Sequence, residues 1–237
     1  MLEGQKCLVI GSGISGIGAV ALLEKYHADV VLYDSSDKLT KEDLEAKLPG
    51  ESKAVCIAGE LPEEVELSIQ AAVLSPGVPT DIPLVNRMRD RGVQILGEIE
   101  LGFLAEQGRV IAITGTNGKT TTTTLTGEIM KAHFGAEKTF VVGNIGNPYT
   151  LEVTKTSKDS VTVGEISSFQ LETIHTFHPV VSAILNITPD HLNRHHTMEC
   201  YVETKEKIAM NQTKDQVCVL NYEDGYTRAF GEKCPAK

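Results

Sequence analysis

The chain has 237 residues and a formal net charge of −10, and 41% of its residues are hydrophobic. This length predicts two domains, while the lack of an apolar run near the ~20 residues of a membrane span, and of a signal-peptide core at the start, predicts a cytoplasmic protein. The acidic charge and the dispersed Lys and Arg argue against nucleic acid, and five cysteines without a C-x-x-C pair indicate reduced, mostly buried thiols.

In the first part of the chain, predicted strands alternate with helix-like segments. The apolar periodicity of Ile17–Tyr26 predicts a helix between the first two strands, and the second strand leads to Asp34. These segments predict a Rossmann-like α/β domain over residues 1–97. The predicted strands are short and apolar: Lys6–Ile10, Ala28–Tyr33, Ala71–Leu74 and Val93–Leu96.

The pattern restarts after Gly97 and predicts a second domain over residues 98–237. A helix-like segment, GEIELGFLAEQG, precedes a strand at Val110–Thr114, a loop and a long Thr-rich helix. Because strands again alternate with helices, we expect a mostly parallel, doubly wound sheet in this domain too, and an α/β fold class throughout. The further predicted strands are Thr139–Val142, Ser160–Val163, Val181–Ile187 and Gln216–Asn221.

A glycine-rich loop, GSGISG, joins the first strand to the first helix. Its glycines permit a tight turn and close backbone approach to a diphosphate, and Asp34 stands where an acidic residue meets a ribose hydroxyl. NAD or FAD is the obvious ligand, and a turn that binds nothing is the alternative; the loop itself supports some diphosphate-bearing nucleotide. The candidate binding residues of the loop are Gly11, Ser12, Gly13, Ile14 and Ser15.

A second loop, GTNGKTT, follows the strand Val110–Thr114 and opens a helix. Its backbone N–H groups can surround the phosphates of a nucleoside triphosphate, while Lys119 reaches the β and γ oxygens and the Thr120 hydroxyl ligates Mg²⁺. The strict phosphate-loop pattern needs Gly in place of Ile113, so this is a shortened form. The candidate ATP-binding residues are Gly115, Thr116, Asn117, Gly118, Lys119, Thr120 and Thr121.

Polar residues cluster after later strands, at the sheet edge where open α/β folds place ligands. Glu165 follows the strand Ser160–Val163 and is suited to hold Mg²⁺ opposite Thr120. His191 lies in NITPDHLNRHH, but imidazole is an unusual Mg²⁺ ligand and the histidines there lack a recognised zinc spacing. Lys205 lies in a helix-like stretch, where a lysine is normally a solvated surface residue, and periodicity gives no reason to single it out.

In chain order, the motifs GTNGKTT, GNIG, EISSFQLE and NITPDHLNRH, followed by Tyr201 and Lys205, resemble those of the Mur ligases. SPGV at Ser75–Val78 and GEIEL at Gly97–Leu101 fit the same family. EISSFQLE is similar to the branch that acts on UDP-N-acetylmuramoyl-L-alanine. The resemblance spans essentially all 237 residues and is most specific in the second domain.

The resemblance implies that the first glycine-rich loop binds a UDP-linked precursor rather than NAD, with Asp34 near the uracil-ribose end. It also implies contacts from the second domain to the precursor or its metal. Ser36 departs from the family, because an Arg is expected there beside the uracil, and the base contacts are therefore left open. The implied precursor-binding residues outside the loop are Asp34, Ser75, Gly77, Asn144 and His191.

The resemblance also implies a reaction in which ATP phosphorylates the alanine carboxylate and the amine of D-glutamate attacks the acyl phosphate. Lys205 matches a carbamylated lysine that ligates a second Mg²⁺. Thr120, Glu165, His191 and Lys205 would then hold the two Mg²⁺ ions, and Lys119, Glu165, His191 and Lys205 would be the catalytic residues. Lys119 and the metals would offset the charge between two anionic reactants.

Mur ligases carry a third domain that binds the incoming amino acid. We therefore expect residues 1–237 by themselves to be a monomer that binds the UDP-precursor, binds ATP weakly and forms no peptide bond. The alternatives are another ligase of this type, such as one that adds glutamate to a folate, a non-catalytic nucleotide-binding module, and an NAD-dependent oxidoreductase. Titration with UDP, NADH and ATP distinguishes these functions.

Overall fold

The computed structural model describes residues 2–237, which form two compact units. The first unit runs to Ala105 and includes Pro148–Leu151; the second comprises Glu106–Asn147 and Glu152–Lys237. Within residues 2–237, no helix has the length and apolar character that crossing a membrane requires.

The first unit is a five-stranded parallel sheet in the order β3-β2-β1-β4-β5. The strands are β1 (Lys6–Ile10), β2 (Asp29–Asp34), β3 (Val55–Ala58), β4 (Ala71–Leu74) and β5 (Gln94–Gly97). The helices are α1 (Ile14–Lys25), α2 (Lys41–Glu45), α3 (Glu63–Ser68), α4 (Pro83–Asp90) and α5 (Glu98–Ala105).

The core of this unit follows from the two-residue period of its strands. Leu8 and Ile10 of β1 pack in one apolar cluster with Val85 and Met88 of α4. Cys7 and Val9, which alternate with these two residues along β1, are also fully buried. A strand that is apolar on both faces belongs in the middle of a sheet covered by helices on both sides, which is where β1 lies.

The helix α5 belongs to the first unit, although the expected domain boundary near residue 97 precedes it. The buried Glu98 of α5 accepts hydrogen bonds at its Oε1 from the N–H and the hydroxyl of Thr150, at 2.8 and 2.9 Å. Gly102 leaves no room for a Cβ, which would lie 2.7 Å from the ring of Tyr149. These contacts explain why Pro148–Leu151 is part of the first unit.

The second unit is also a five-stranded parallel sheet, in the order β10-β9-β6-β8-β7. The strands are β6 (Arg109–Thr114), β7 (Thr139–Gly143), β8 (Val161–Glu165), β9 (Val181–Ile184) and β10 (Val217–Leu220). The helices are α6 (Lys119–Phe134), α7 (Tyr149–Glu152, which begins in the first unit), α8 (Ser168–Leu171), α9 (Leu192–His195), α10 (Met198–Glu206) and α11 (Gly225–Gly231).

In each sheet the first strand of the unit lies where the strand order reverses. β1 pairs with β2 on one side and β4 on the other, and β6 pairs with β8 and β9. In open α/β sheets, ligands bind at the carboxyl ends of the strands at this switch point. Each glycine-rich loop directly follows one of these two strands, so the fold places both loops at a ligand-binding position.

The predicted fold class, α/β with two parallel sheets, is confirmed. One strand, β3, has no counterpart in the sequence prediction. The helix α1 starts at Ile14 rather than Ile17, and Glu165 is the last residue of β8 rather than a residue that follows the strand. The cysteines are not mostly buried: Cys7 and Cys56 are buried, whereas Cys200 is exposed and the other two are intermediate.

Candidate nucleotide-phosphate sites

The first glycine-rich loop makes a turn that only glycine permits at two of its positions. Gly11 has φ +98°, in the left-handed region, and its N–H donates to the carbonyl of Tyr33 at 2.8 Å. A Cβ on Gly16 would lie 1.9 Å from the carbonyl oxygen of Gly11. Ser75, from the turn after β4, donates its hydroxyl to the same oxygen at 3.0 Å.

Asp34 is bound to this loop. Its Oδ2 accepts from the N–H and the hydroxyl of Ser12, at 2.9 and 2.6 Å, and its Oδ1 accepts from the N–H of Ser36 at 3.1 Å. Burial opposes ionisation of Asp34, but the hydrogen bonds from Ser12 and Ser36 and the charge of Lys47 together outweigh it and hold the pKa below the ordinary value. Both Ser12 donors are therefore engaged by Asp34.

The donors left for an anion are those at the start of α1. The first N–H groups of a helix have no intrahelical partner, and here Gly13 precedes the helix without a side-chain cap. The first turn holds no acidic residue. Gly13 and Ile14 are exposed, so a phosphate can approach the end of the helix.

A cavity of about 460 Å³ opens beside the loop. Gly11, Asp34 and Gly77 line it, together with apolar side chains that include Tyr33 and Val78. Three of the predicted precursor-binding residues thus share one cavity, with apolar walls suited to a flat ring and a carboxylate at the edge.

The second glycine-rich loop is folded around a lysine. Gly115 and Gly118 have φ of +149° and +82°, and Gly118 immediately precedes the first residue of α6. The Nζ of Lys119 donates to the carbonyls of Gly115 and Thr116, both at 3.0 Å. The lysine that would bind phosphate is therefore held against its own loop, while Thr120 and Thr121 are exposed on the first turn of α6.

Asn186, two residues after the end of β9, fixes the shape of this loop. Its carbonyl accepts from the N–H of Thr116 at 2.9 Å, and its side chain exchanges hydrogen bonds with the backbone of Asn117 at 2.9 and 3.0 Å. The loop is thus held by the segment after a neighbouring strand as well as by its own turn.

Glu165 is buried, with 1% of its surface exposed, at the carboxyl end of β8. Its Oε1 accepts from the side-chain amide of Asn144 at 2.7 Å, and its buried Oε2 has no hydrogen-bond partner. A buried carboxylate oxygen without a partner costs free energy unless a cation or a hydrogen-bond donor contacts it. This oxygen is suited to a hard divalent cation.

Lys205 is also buried, with 1% of its surface exposed, so the prediction of a solvated side chain was wrong. Its Nζ donates to the carbonyl of Gly115 at 2.9 Å and lies 4.7 Å from the ring centre of Tyr201. Burial, followed by the charge of Lys119, lowers the pKa of Lys205 to about 7. Helix α10 thus brings a second lysine to the phosphate loop, which periodicity did not indicate.

His191 is exposed and adopts a left-handed backbone conformation, with φ of 52°. Its ring packs near Phe169, with the centroids 4.9 Å apart, and its Nε2 lies 3.4 Å from Asp190 Oδ2. Across residues 2–237, no three His, Cys, Asp or Glu side chains converge on one metal position. A metal at this edge would therefore need hydroxyl, phosphate or carbamate oxygens besides Glu165 and His191.

Sequence reasoning missed a buried polar cluster beside His191. The ring Nε2 of His195 lies 2.9 Å from the Ser168 hydroxyl, and Arg194 makes a two-fold hydrogen bond to Glu172 at 3.0 and 2.6 Å. Arg194 also stacks on Phe169. The only signal in the sequence is that these residues belong to the EISSFQLE and NITPDHLNRH motifs.

Taken together, the fold and the loops define an α/β protein with one candidate nucleotide-phosphate site in each unit. Sequence profiles identify both units: the N-terminal domain of MurD-like Mur ligases matches residues 5–97, and the Mur ligase middle domain matches residues 113–237. The chain belongs to the Mur ligase family.

Two relatives match nearly the whole of this chain. The chain is 58% identical over 235 residues to a UDP-N-acetylmuramoylalanine--D-glutamate ligase of Lachnospira eligens, covering 99% of this chain and 52% of that protein. It is 46% identical over 237 residues to the protein of that name in Clostridioides difficile, covering 100% of this chain and 52% of the relative. The chain therefore spans about half the length of the curated relatives it matches.

Solved structures share the fold at low sequence identity. A UDP-N-acetylmuramate:L-alanyl-gamma-D-glutamyl-meso-diaminopimelate ligase from Neisseria meningitides superimposes with a TM-score of 0.61 at 14% identity, covering 98% of this chain and 77% of that one. A murein peptide ligase from Psychrobacter arcticus gives a TM-score of 0.57 at 13% identity, covering 97% and 52%. These likenesses support the fold and carry no argument about substrate.

Proposed function

We propose that this chain supplies the UDP-precursor-binding and ATP-binding parts of a ligase that joins D-glutamate to UDP-N-acetylmuramoyl-L-alanine in peptidoglycan synthesis. The observation that carries the proposal is the phosphate loop of the second unit, with Lys119 and Lys205 both on the carbonyl of Gly115. The names of the relatives supply the substrates.

Lys119 would stabilise the transferring γ-phosphate of ATP. Its ammonium group need only turn from the carbonyls of Gly115 and Thr116 to reach the β and γ oxygens, while the N–H groups at the start of α6 bind the remaining phosphate oxygens. The alanine carboxylate attacks the γ-phosphorus to give an acyl phosphate and ADP. The amine of D-glutamate then attacks the acyl carbon, the bond from that carbon to the phosphate oxygen breaks, and the new amide nitrogen loses a proton as phosphate leaves.

Binding of two Mg²⁺ ions is part of this proposal. The unpaired Oε2 of Glu165, the exposed Thr120 hydroxyl and His191 would hold them, with a carbamate on Lys205. When bound, the ions neutralise phosphate charge and bring the two anionic reactants together. Asn144 keeps Glu165 oriented through its 2.7 Å hydrogen bond to Oε1.

Carbamylation of Lys205 is part of this proposal. The Nζ is buried beside Lys119 and has one carbonyl partner, so an uncharged amine suits this position better than an ammonium. An uncharged amine is the form that adds to CO₂, and the resulting carbamate carries a negative charge beside Lys119 instead of a second positive one.

The first unit would bind the UDP part of the precursor through the start of α1 and the cavity at Asp34 and Gly77. Asn144 and His191, both exposed in the second unit, would contact the muramoyl-alanine part. These roles follow from the family resemblance.

Calorimetric titration of the chain with UDP, NADH and ATP–Mg²⁺ tests the proposal against the alternatives. We expect binding of UDP and of ATP, with UDP the tighter ligand, and no binding of NADH. NADH binding without UDP binding would contradict the proposal and favour an oxidoreductase, whereas ATP binding without UDP binding would favour a folate-type ligase.

The role of Lys205 has a separate test in the whole ligase. Lys205→Ala should lose ligase activity and recover part of it when a small carboxylic acid is added, because the acid replaces the carbamate. Full activity of the variant without any addition would disprove the metal role. That residues 1–237 alone form no peptide bond stays a prediction, which D-glutamate-dependent phosphate release would contradict.

A further inference from the structure

The first glycine-rich loop already carries a negative charge. Asp34 accepts both donors of Ser12, so its carboxylate lies directly beside the turn that leads to α1. A diphosphate that approaches the start of α1 brings further negative charge close to this carboxylate. Neighbouring like charges repel, and the repulsion is greater at a partly buried site than in water. An anion site here therefore needs a cation.

Lys47 is a cation in contact with this loop. Its Nζ donates to the hydroxyl oxygen of Ser12 at 2.9 Å and to the carbonyl oxygen of Ser12 at 3.3 Å. The residue lies in the turn after α2 and is exposed, so its side chain can move toward a ligand without losing buried contacts. Ser12 thus links Lys47 to Asp34 in one chain of hydrogen bonds.

We infer that Lys47 is a diphosphate-binding residue, whose ammonium group lies between the glycine-rich loop and the phosphates of a bound nucleoside diphosphate. The inference rests on the proposed UDP site in the first unit. The 12-residue helix α1 contributes uncapped N–H groups, and its first turn holds no acidic residue. Gly11 of the loop and Asp34, which the loop binds, both line the cavity of about 460 Å³. Lys47 adds the charge that these neutral donors lack.

A purely structural role for Lys47 would look different in solution. In that case Lys47 only fastens the turn after α2 to Ser12, and its loss would affect every ligand of the unit equally. A phosphate-binding role affects only ligands that carry phosphate. Uridine and UDP differ in the diphosphate alone, so the pair distinguishes the two roles.

The experiment compares UDP and uridine binding to the 237-residue chain by calorimetry or by NMR for weak binding. The variants are Lys47→Met, Lys47→Arg and, as a matched control, Lys38→Met, an exposed lysine of the same segment. Because a charge-assisted hydrogen bond to phosphate contributes roughly 1.5–3 kcal/mol, Lys47→Met should weaken UDP binding by about tenfold or more. Uridine binding should not change, and Lys47→Arg should keep most of the UDP affinity.

Three results would overturn the inference. UDP affinity of Lys47→Met within about twofold of the unsubstituted chain would remove Lys47 from the site. Equal losses for UDP and uridine would assign Lys47 a structural role, and a thermal melt would show the accompanying destabilisation. If the unsubstituted chain binds no UDP at all, the proposed UDP site fails, and the role of Lys47 fails with it.

Discussion

The two glycine-rich loops occupy the same place in two similar sheets, yet different charged side chains surround them. In the first loop, Ser12 joins the carboxylate of Asp34 to the ammonium group of Lys47. In the second, the side-chain nitrogens of Lys119 and Lys205 both donate to the carbonyl of Gly115. The backbone turn provides N–H groups for phosphate in either case. The side chains around the turn therefore determine how much negative charge each loop accepts.

This difference fits two kinds of nucleotide. A triphosphate concentrates negative charge on the β and γ phosphates, and the ammonium group of Lys119 beside the second loop matches it. The first loop has Asp34 and a cavity lined with apolar side chains, which suit the nucleoside half of a ligand. On this comparison, we propose that the first unit recognises the nucleoside and its diphosphate, and that the second unit binds the phosphate that is transferred.

A large loss of stability should follow substitution of the loop glycines. The two loops need glycine for different reasons, close backbone packing in the first and a positive φ in the second. In Gly16→Ala the new Cβ meets the Gly11 carbonyl at 1.9 Å, and we expect a loss of about 3 kcal/mol or more in the free energy of unfolding. Gly118→Ala meets only Leu185 at 3.6 Å but has φ +82°, so we expect a loss of about 1–2 kcal/mol.

Urea unfolding measures both variants, and Gly13→Ala is the control because nothing lies within 4 Å of its Cβ position. We expect it to cost under about 1 kcal/mol, the loss of a favourable N-cap residue. Equal losses for Gly13→Ala and Gly16→Ala would show that space does not limit the first loop.

The next effect tests the charge of the second loop. Lys119→Ala should weaken ATP binding by about 10- to 100-fold, because it removes a charge-assisted contact to the phosphates. Lys131→Ala is the matched control, since Lys131 lies on the same helix and pairs with Glu128 at the surface. Calorimetry measures the affinities, and circular dichroism checks that the variants fold. Unchanged ATP affinity in a folded Lys119→Ala protein would contradict the assignment of the loop.

A pH-dependent effect comes from Lys205. Burial and the charge of Lys119 lower its pKa to about 7, whereas an unfolded lysine titrates near 10.4. Between these values the unfolded chain binds more protons, so the contribution of Lys205 to the free energy of unfolding becomes more favourable as pH rises from about 7 to 10. Lys205→Met should lack this rise. In CO₂-free buffer, the free energy of unfolding of the unsubstituted chain and of Lys205→Met is measured as a function of pH. Parallel profiles for the two proteins would contradict this prediction.

The sequence predicts the repeated, apolar elements of the fold best. β1 and β4 have the predicted bounds because each is a buried run bounded by turn residues. β3 escapes prediction because it is a short edge strand whose first residue, Val55, is exposed. Helices α2 and α3, of 5 and 6 residues, are too short to show a helical period.

The candidate sites also contain residues that the sequence predicts and residues that it does not. Local motifs predict the two loops, because their glycines and Lys119 are close in sequence and act through one turn. Contacts between distant residues are not visible there: Lys205 reaches Gly115 across 90 positions, and Lys47 reaches Ser12 across 35. The burial of Lys205 also depends on how α10 packs, and helical periodicity did not indicate it.

The most direct test of the proposed division of labour is hydrogen–deuterium exchange of the chain with each nucleotide in turn. UDP-N-acetylmuramoyl-L-alanine should slow exchange at the start of α1 and around Gly77, and ATP–Mg²⁺ should slow it at Gly115–Thr121 without displacing the first ligand. Protection of the Gly115 loop by both nucleotides, with the start of α1 unaffected, would contradict a separate UDP site in the first unit.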